Sequence, residues 1–370
     1  MHDRYRLNHP ERMLSPSLIL FEAVVRENLD TMIRMVGDPD RLRPHVKTHK
    51  MAEIVRLQEN LGLHKHKVAT LAEAEMVAQA GGQDVLIAYP LVGPNLDRLA
   101  NLIRAYPETT FRVLVDHPES ARALSKVAAG LDRPVSTLVD LDVGMGRTGI
   151  APGDDAAKLY ALIADLPGLS ADGLHAYDGH QRATDPAERR ADSNAGLKPA
   201  LDLRDRLIAA GLPVPRLVLG GTPTFPIHAT STIPGTECSP GTSTLFDAGY
   251  ATKFPDLPFR PAALLLTRII SVPRAGGFTL DLGHKAVAAD PVGARLSLPD
   301  LPDAEFGGQS EEHLVVRTSE SDKYAPGDHF LAVPMHVCPT VALHQRAYVV
   351  RDGEIVDMWE VAARNRVLTI

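Results

Sequence analysis

The chain has 370 residues, 44% of them hydrophobic, and a formal net charge of −7. This length and apolar content allow a large core and are too great for one small domain. The negative charge argues against a nucleic-acid-binding protein, because such surfaces are usually basic. No stretch resembles a signal peptide or approaches the roughly 18 apolar residues of a membrane span, so we expect a cytoplasmic protein. Two cysteines, Cys238 and Cys338, do not make a disulfide framework.

Short apolar segments rich in β-branched residues recur along the first two thirds of the chain, each followed by a turn and then a helical pattern. They are R-P-H-V, K-V-A-T, D-V-L-I-A, F-R-V-L-V, S-T-L-V-D, D-G-L-H-A, R-L-V-L-G and T-E-C-S. The intervening L-A-E-A-E-M-V-A-Q-A-G-G has helical periodicity and a glycine stop at Gly81. This alternation predicts an α/β fold, a TIM-like (β/α)8 barrel over residues 18–245, with functional groups at the carboxyl ends of the strands.

The pattern changes at about Phe246. Segments such as A-A-L-L-L-T-R-I-I-S-V, G-F-T-L-D-L-G and A-Y-V-V-R-D-G-E-I-V run between Gly, Pro and Asp turns without helical periodicity. We therefore expect a second, all-β domain formed by residues 246–370 together with residues 1–17.

The basic stretch R-L-R-P-H-V-K-T-H-K lies where the first barrel strand is predicted. If it is extended, His45, Lys47 and His49 share one face. A partly desolvated Lys47 beside these groups would be a good amine nucleophile, which suggests a Schiff-base lysine. A solvated loop lysine is an equal alternative from this segment alone. A third interpretation takes His45 and His49 as a metal-binding pair, although no acidic ligand is adjacent.

Two glycine-threonine turns follow the predicted seventh and eighth strands. The first contains Gly220, Gly221 and Thr222, and the second contains Gly241 and Thr242. Glycine lets backbone N–H groups approach an anion, and barrels often bind phosphate at this position. Either turn alone could be an ordinary connection, but together they favour a cofactor that carries phosphate.

Two further loops follow the predicted fifth and sixth strands. D-V-G-M-G-R-T-G holds Arg147 between glycines, and it is either a mobile turn or an arginine brought to a cofactor oxygen. G-L-H-A-Y-D-G-H ends in Tyr177 and His180. The tyrosine ring could lie against a flat cofactor and the histidine could act as a base, or both could simply pack.

The segment M-H-V-C-P-T lies in the predicted β domain. If it is extended, His336 and Cys338 project to the same side. Imidazole and thiolate form a soft pair that suits zinc, and two protein ligands would leave positions open for substrate or water. The alternative is a core cysteine beside a hydrogen-bonded histidine.

Taken together, these motifs resemble the pyridoxal-phosphate enzymes with an alanine-racemase-type barrel, specifically the D-threonine aldolase and D-serine dehydratase family. The resemblance covers nearly the whole chain, and its most specific marks are R-P-H-V-K-T-H-K and H-V-C-P-T. It implies pyridoxal 5'-phosphate attached to Lys47, with His45 in the same pocket. It also implies a divalent metal (manganese or zinc, with magnesium as a further option) and a homodimer.

The resemblance assigns the remaining site residues as well. Arg147 would contact the phenolic oxygen of the cofactor, Tyr177 would lie by its ring, and His180 would be a base. The turns at Gly220–Thr222 and Gly241–Thr242 would hold the phosphate. His336 and Cys338 would bind the metal.

The resemblance implies lyase activity on a D-β-hydroxy amino acid, with two possible outcomes. Retro-aldol cleavage of D-threonine would give glycine and an aldehyde, whereas dehydration of D-serine or 3-hydroxyaspartate would give a keto acid and ammonia. Cys338 favours the dehydratases, in which this ligand is cysteine rather than aspartate, and the C-terminal sequence favours the aldolases. An amino-acid racemase and a non-enzymatic pyridoxal-phosphate carrier fit less well, because neither gives the metal pair a task.

Overall fold

The structure is a computed structural model that describes residues 3–370. These residues form two compact units, which we call the barrel unit and the sheet unit. The barrel unit contains Met32–Lys47, Ala52–Gly241 and Asn365–Ile370, and the sheet unit contains the described residues up to Thr31, Thr48–Met51 and Thr242–Arg364. No helix within the described residues has the length and apolar character needed to cross a membrane.

The secondary structure alternates in the first part of the chain and is mostly extended after Ala263. The strands are β1 (Ser17–Phe21), β2 (Lys65–Val68), β3 (Asp84–Ile87), β4 (Thr110–Val115), β5 (Val135–Leu141), β6 (Leu169–Ala176), β7 (Leu217–Leu219), β8 (Thr236–Cys238), β9 (Ala263–Arg274), β10 (Gly277–Leu280), β11 (Leu296–Ser297), β12 (Glu305–Gln309), β13 (Leu314–Arg317), β14 (His329–Pro334), β15 (Arg346–Arg351) and β16 (Glu354–Glu360). The helices are α1 (Glu22–Val36), α2 (Ala52–Asn60), α3 (Leu71–Gln79), α4 (Asn95–Ala105), α5 (Pro118–Ala128), α6 (Asp154–Asp165), α7 (Pro186–Ala209), α8 (Phe225–Ala229), α9 (Ala248–Lys253) and α10 (Val337–Leu343).

Strands β2 to β8 form the parallel sheet of the barrel unit, each pairing with the next along the chain. Residues 42–45 connect the two edge strands, because Leu42 bridges to Cys238 in β8 and His45 bridges to Lys67 in β2. Leu86, Leu114 and Leu138 belong to a buried core cluster with Val218. The sheet therefore closes around side chains contributed by its own strands, as in a packed barrel.

The first predicted strand is wrong beyond His45. Leu42 and His45 form isolated bridges, and Val46–Thr48 is a 3-10 turn instead of a strand. Pro44 has no N–H to donate to a ladder, and Lys50 has a φ of 56°, which an extended strand does not allow. His45, Lys47 and His49 consequently do not share a strand face.

The sheet unit contains a mostly antiparallel sheet with the strand order β12-β13-β10-β9-β1-β15-β16. Strand β14 pairs with β9 and β11, and β1 pairs with β15 in the parallel direction. The apolar run of β9 is buried because it lies between β1 and its other neighbours. A parallel barrel together with a mainly antiparallel C-terminal domain confirms the predicted fold class.

Charged side chains cross the interior of the barrel unit and form a network that we call the charged belt: Arg43, Asp84, Arg112, Asp172 and Glu237. Arg43 is fully buried and lies 2.7 Å from the Asp84 carboxylate and 2.6 Å from that of Glu237. Arg112 pairs with Asp84 and Asp172. Each buried charge of the belt thus has an opposite partner in direct contact.

Candidate active site

Lys47 directly follows the segment that joins β8 to β2. The His45 side chain accepts a hydrogen bond from the Lys47 backbone N–H over 3.3 Å, and His45 N–H donates to Pro240 O. These contacts fix the turn that carries Lys47 at the carboxyl end of the bridging segment. Catalytic groups of barrel enzymes lie at this end of the strands.

Three cations surround the ring of Tyr177, and we call this group the cation cage. Lys47 Nζ lies 5.7 Å from the ring centroid, Lys67 Nζ lies 5.5 Å from it, and Arg147 Cζ lies 5.1 Å from it. Cations at such distances are attracted to the face of an aromatic ring. The structure thus brings together Lys47, Arg147 and Tyr177, which the sequence analysis selected, with a second lysine that it did not select.

The loop that carries Arg147 turns sharply because of its glycines. Gly144, Gly146 and Gly149 have φ values of 118°, 62° and 101°. The Asp142 carboxylate accepts the N–H groups of Gly144 and Gly146, which holds the turn. The predicted mobile turn is therefore a hydrogen-bonded loop that carries Arg147 to the Tyr177 ring.

Lys67 continues into a buried hydrogen-bonded chain. Its Nζ lies 3.5 Å from Nε2 of His175, whose Nδ1 lies 2.7 Å from the Asp140 carboxylate. Burial, together with the positive charge of Lys47, lowers the pKa of the Lys67 ammonium to about 7. Burial also lowers the pKa of His175, although the hydrogen bond with Asp140 opposes that shift.

The carboxylates near the cage are held by other donors. Asp140 is bonded to His175, and Asp178 accepts the Thr224 hydroxyl at 2.7 Å. Asp178 also contacts His228 and Ser193, at 2.9 Å and 3.1 Å. These contacts direct both carboxylates at other donors, while three basic side chains line the Tyr177 ring, an arrangement that suits a ligand carrying several negative charges.

The turn after β7 packs closely on this ring. A side chain at Gly221 would place its Cβ 3.0 Å from Tyr177, and Gly220 has a φ of 70°. The N–H groups of Gly220 and Gly221 donate to Ala176 O and to the Thr224 hydroxyl. These two N–H groups have internal acceptors, so the donors predicted for a phosphate are partly engaged in the turn.

The second predicted turn contributes one contact to the first. Gly241 N–H donates to the Thr222 hydroxyl over 3.3 Å, so the two turns meet within the barrel unit. Thr222 and Gly241 are both buried. Thr242 begins a 3-10 turn of the sheet unit, where its hydroxyl lies 3.6 Å from the Cys338 thiol.

His180 lies beside the glycine loop after β5. A Cβ on Gly144 would come within 2.9 Å of His180 Nε2, and this nitrogen lies 3.3 Å from the Gln181 amide. The other ring nitrogen, Nδ1, is buried and has no hydrogen-bond partner among residues 3–370. Because the Gln181 amide donates to Nε2, the neutral ring carries its proton on Nδ1, which can donate to a bound molecule.

His336 and Cys338 lie in the sheet unit, where the extended conformation predicted for this segment is present at His336 (φ −140°, ψ 99°), but Cys338 is helical. His336 is the residue before α10, and Cys338 lies in its first turn, where the following Pro339 is tolerated because no N–H is needed. Cys338 Sγ lies 3.2 Å from the Thr48 hydroxyl. A hydrogen bond in which the Cys338 sulfur accepts from the His336 ring is one cause of the raised pKa of His336.

The His336 ring is oriented by an acidic partner. Its Nδ1 lies 2.5 Å from the Asp290 carboxylate. Burial lowers the pKa of His336, but Cys338 and Asp290 outweigh this effect and raise it to about 9. A carboxylate on one ring nitrogen is the usual arrangement behind a metal-binding histidine. In the described part of the chain, however, no group of three or more His, Cys, Asp or Glu side chains has the arrangement of a metal site.

The sequence analysis missed Lys67, His175 and Asp140. They were visible as polar residues inside predicted strands, at positions where barrel interiors are usually apolar. Strand alternation alone cannot show that residues from β2, β5 and β6 meet. Their pairing requires the register of the sheet, in which His45 opposes Lys67 and Asp140 opposes His175.

Both parts of the chain match known protein families. Residues 22–248 match the family model "Alanine racemase, N-terminal domain", and residues 262–350 match "Putative serine dehydratase domain". The chain is 32% identical to the D-threonine aldolase of an Arthrobacter species, over 96% of this chain and 93% of that protein. It is 29% identical to the 3-hydroxy-D-aspartate aldolase of Paracoccus denitrificans, over 95% and 92% of the two chains.

Two further matches extend this picture. The D-threo-3-hydroxyaspartate dehydratase of a Delftia species is 26% identical, over 88% of this chain and 91% of that protein. The crystal structure of D-threonine aldolase from Filomicrobium marinum has a TM-score of 0.89 and 31% identity, over 96% and 97% of the two chains.

The match over residues 22–248 places the chain in the class of proteins with an alanine-racemase-type N-terminal domain. Within that class the chain belongs to the family that contains D-threonine aldolase and its 3-hydroxyaspartate-specific relatives. The family predicted from the sequence motifs is confirmed.

Proposed function

We propose that the chain is a pyridoxal-phosphate- and divalent-metal-dependent lyase that cleaves D-β-hydroxy amino acids, with D-threonine as substrate and glycine and acetaldehyde as products. The observation that carries the proposal is the cation cage with Lys47 at the carboxyl end of the barrel, in a chain 32% identical to a D-threonine aldolase. The D preference rests on the relatives alone.

The cage residues fit pyridoxal phosphate chemically. This cofactor is an aromatic polyanion, and the cage combines an aromatic wall at Tyr177 with three cations whose neighbouring carboxylates are held by other donors. When bound, pyridoxal phosphate supplies an aldehyde for an amine and a ring that stabilises negative charge on the substrate.

The residues of the cage divide the work of binding. Lys47 offers the amine, and the guanidinium of Arg147 can donate a charge-assisted hydrogen bond to an oxygen of the cofactor. Tyr177 excludes water from one face of the site and fixes the plane of a ring placed against it. We assign the phosphate group to the turns that contain Thr222 and Gly241, and the contact between these two residues supports that assignment.

His180 would accept the proton of the substrate hydroxyl. The Gln181 amide nitrogen can only donate, so Nε2 holds the lone pair of the neutral ring and Nδ1 carries the proton. Nε2 is then the atom that would accept the proton as the carbon–carbon bond breaks. The Gln181 amide orients the ring until the substrate hydroxyl takes its place at Nε2.

His336 and Cys338 would hold the divalent metal, and Asp290 would orient the imidazole. Nitrogen and sulfur ligands favour zinc, while manganese and magnesium prefer oxygen ligands. A divalent metal supplies a positive charge that lowers the pKa of a hydroxyl bound to it. With two protein ligands, the remaining positions would be filled by substrate and water.

We also propose a homodimer, residues 18–245 as the cofactor-binding part of the chain, and residues 246–370 as the part that carries the metal ligands. The family model matched to residues 22–248 supports the first range. The homodimer and the cytoplasmic location expected from the sequence remain predictions.

The test is product identification after incubation with D-threonine, D-serine and 3-hydroxyaspartate, with and without added manganese or zinc. The proposal predicts glycine and acetaldehyde from D-threonine, and loss of turnover on chelation that added metal restores. Pyruvate and ammonia from D-serine, with D-threonine uncleaved, would overturn it.

That contrary result would favour dehydration instead. Two observations support this second candidate, the cysteine at position 338 and the serine dehydratase model matched to residues 262–350. In a dehydratase the same Lys47 amine would remove the proton from the α-carbon, and hydroxide would leave from the β-carbon.

A further inference from the structure

Lys67 is a buried lysine whose surroundings differ from those of a structural ion pair. Its side chain is 2% exposed, and it projects from β2 next to the Tyr177 ring. Burying an ammonium costs several kcal/mol unless a carboxylate compensates it. The contact that the structure gives to Nζ is with a neutral acceptor, the imidazole of His175.

The neighbouring lysine of the same strand shows the contrast. Lys65 lies two residues earlier, and its Nζ is 3.2 Å from the Glu237 carboxylate and 2.5 Å from Asp40 O. Lys65 is therefore held as a cation at the charged belt. Lys67 is placed among other cations, where the neutral amine is favoured.

The chain behind Lys67 can receive a proton. Asp140 accepts from His175 Nδ1–H, so Nε2 carries the lone pair that faces Lys67 Nζ. Asp140 would stabilise the imidazolium that forms when Nε2 is protonated. Lys67, His175 and Asp140 are therefore arranged like the nucleophile, base and orienting carboxylate of a catalytic triad, with an amine in place of the nucleophile.

Some of the charged groups around Lys67 lower its pKa, and others raise it. Those that face it from the surrounding elements are Lys47, Asp140, Asp178 and Arg43, besides His175. Burial and the two cations favour the neutral amine, and the two carboxylates favour the ammonium. The balance lowers the Lys67 pKa to about 7, so the amine changes its charge in the range where the enzyme would work.

We propose that Lys67 is a positioning residue that accepts the proton which the Lys47 ammonium loses before its amine attacks an aldehyde. One N–H bond of Lys47 breaks and one forms at Lys67 Nζ, which then shares its proton with His175 Nε2. The inference rests on the proposed function, because it needs Lys47 to be the amine that reacts with pyridoxal phosphate.

The experiment measures the rate at which the metal-free protein, stripped of cofactor, forms a covalent adduct with added pyridoxal phosphate. Absorbance follows the reaction between pH 5.5 and 9, and borohydride reduction with peptide mapping identifies the lysine. Wild type should show a rate that rises through an inflection near pH 7. Lys67→Arg keeps the positive charge but cannot release a proton at this pH, and it should lose the inflection and slow the reaction roughly 10- to 100-fold at pH 7.5.

Two variants separate proton transfer from packing. Lys65→Met changes the other lysine of β2 and should keep the wild-type pH profile. His175→Gln leaves Lys67 in place but removes the acceptor, and it should displace the inflection. Circular dichroism and thermal unfolding show whether each variant is folded.

Folded Lys67→Arg and His175→Gln proteins that label Lys47 with the wild-type rate and pH profile would overturn the inference alone. A wild-type protein that forms no adduct on Lys47 would overturn the proposed function, and the inference with it. The two failures are therefore distinguishable.

Discussion

Two groups of charged side chains occupy the barrel unit, and their basic residues have different kinds of neighbours. In the charged belt, Arg43 is enclosed by carboxylates at 2.6 Å and 2.7 Å, and Arg112 is paired in the same way. In the cation cage, Lys47, Lys67 and Arg147 surround a tyrosine ring instead. The basic residues of the belt are in direct contact with carboxylates, whereas those of the cage are in contact with an aromatic ring.

The electrostatic consequences of the two arrangements are opposite. In the belt, the arginines outweigh the effect of burial and hold the pKa of Asp84 well below its usual range, while the carboxylates raise the pKa of Arg43. In the cage, burial and neighbouring cations lower the pKa of Lys67. Removing one partner of a buried ion pair is costly for stability, whereas a buried lysine with a strongly lowered pKa beside other basic groups indicates a candidate functional site.

The largest expected effect comes from removing the reactive amine of the cage. Lys47→Ala should abolish lyase turnover, by on the order of 10⁴-fold or more, because a covalent step cannot proceed without its nucleophile. Lys47→Arg retains the charge and should lose as much. Steady-state assays with D-threonine check both variants, and substantial turnover by either would show that another residue carries the step.

Breaking the belt should affect stability rather than chemistry. Asp84→Asn leaves Arg43 and Arg112 without a shared carboxylate and should lower the free energy of unfolding at pH 7 by about 3–5 kcal/mol. Because the pKa of Asp84 is lowered in the fold, its stabilisation is present above pH about 4 and is lost as the pH falls. Urea unfolding at pH 7 and at lower pH measures the difference, which should shrink in acid.

The matched change in the cage is Arg147→Met. Arg147 is exposed and has no carboxylate partner to leave behind in the cage, so its loss should leave unfolding unchanged while weakening pyridoxal phosphate binding. A destabilisation as large as that of Asp84→Asn would contradict the distinction between the two groups.

Lys67→Met should stabilise the protein in a defined pH window. Because the folded pKa of about 7 lies below the unfolded value of about 10.4, the ammonium penalty is complete below pH 7. It declines between pH 7 and 10.4 and is absent above that range. The variant should therefore gain on the order of a few kcal/mol at pH 6, with no gain at pH 11, in denaturant titrations at both pH values.

The smallest effect is expected at the metal pair of the sheet unit. Asp290→Asn removes the carboxylate behind His336 and should weaken metal affinity by about 10- to 100-fold. Competition with a chromophoric chelator measures it. Glu305→Gln, an exposed acidic residue of β12, is the control and should bind metal as wild type does. Equal affinity in all three proteins would remove His336 from the metal site.

Much of the fold could be predicted from local patterns. Each parallel strand from K-V-A-T to T-E-C-S forms where its apolar, β-branched segment indicates, and helix α3 ends just before Gly81. The two errors, the strand through Lys47 and the extended segment through Cys338, both lie at a short helical segment, Val46–Thr48 and Val337–Leu343. Helical segments this short depend on packing against the surrounding chain, which the alternation of side chains does not reveal.

The site was only partly predictable for a different reason. Arg147 and Tyr177 lie in loops where glycine, arginine and tyrosine stand out, so sequence alone selected them. Lys67 and His175 lie inside strands, 108 positions apart, and their contact depends on the closure of the sheet. Partners so distant in sequence become visible only when the register of every intervening strand is known.

The central claim is that Lys47 is the amine that reacts with pyridoxal phosphate within the cation cage. Borohydride reduction of the reconstituted protein, followed by peptide mapping, tests it most directly. The account predicts a single pyridoxyl label, on the peptide that contains Lys47. A label on Lys67 or on any other lysine, or a protein that stays colourless and unlabelled, would contradict it.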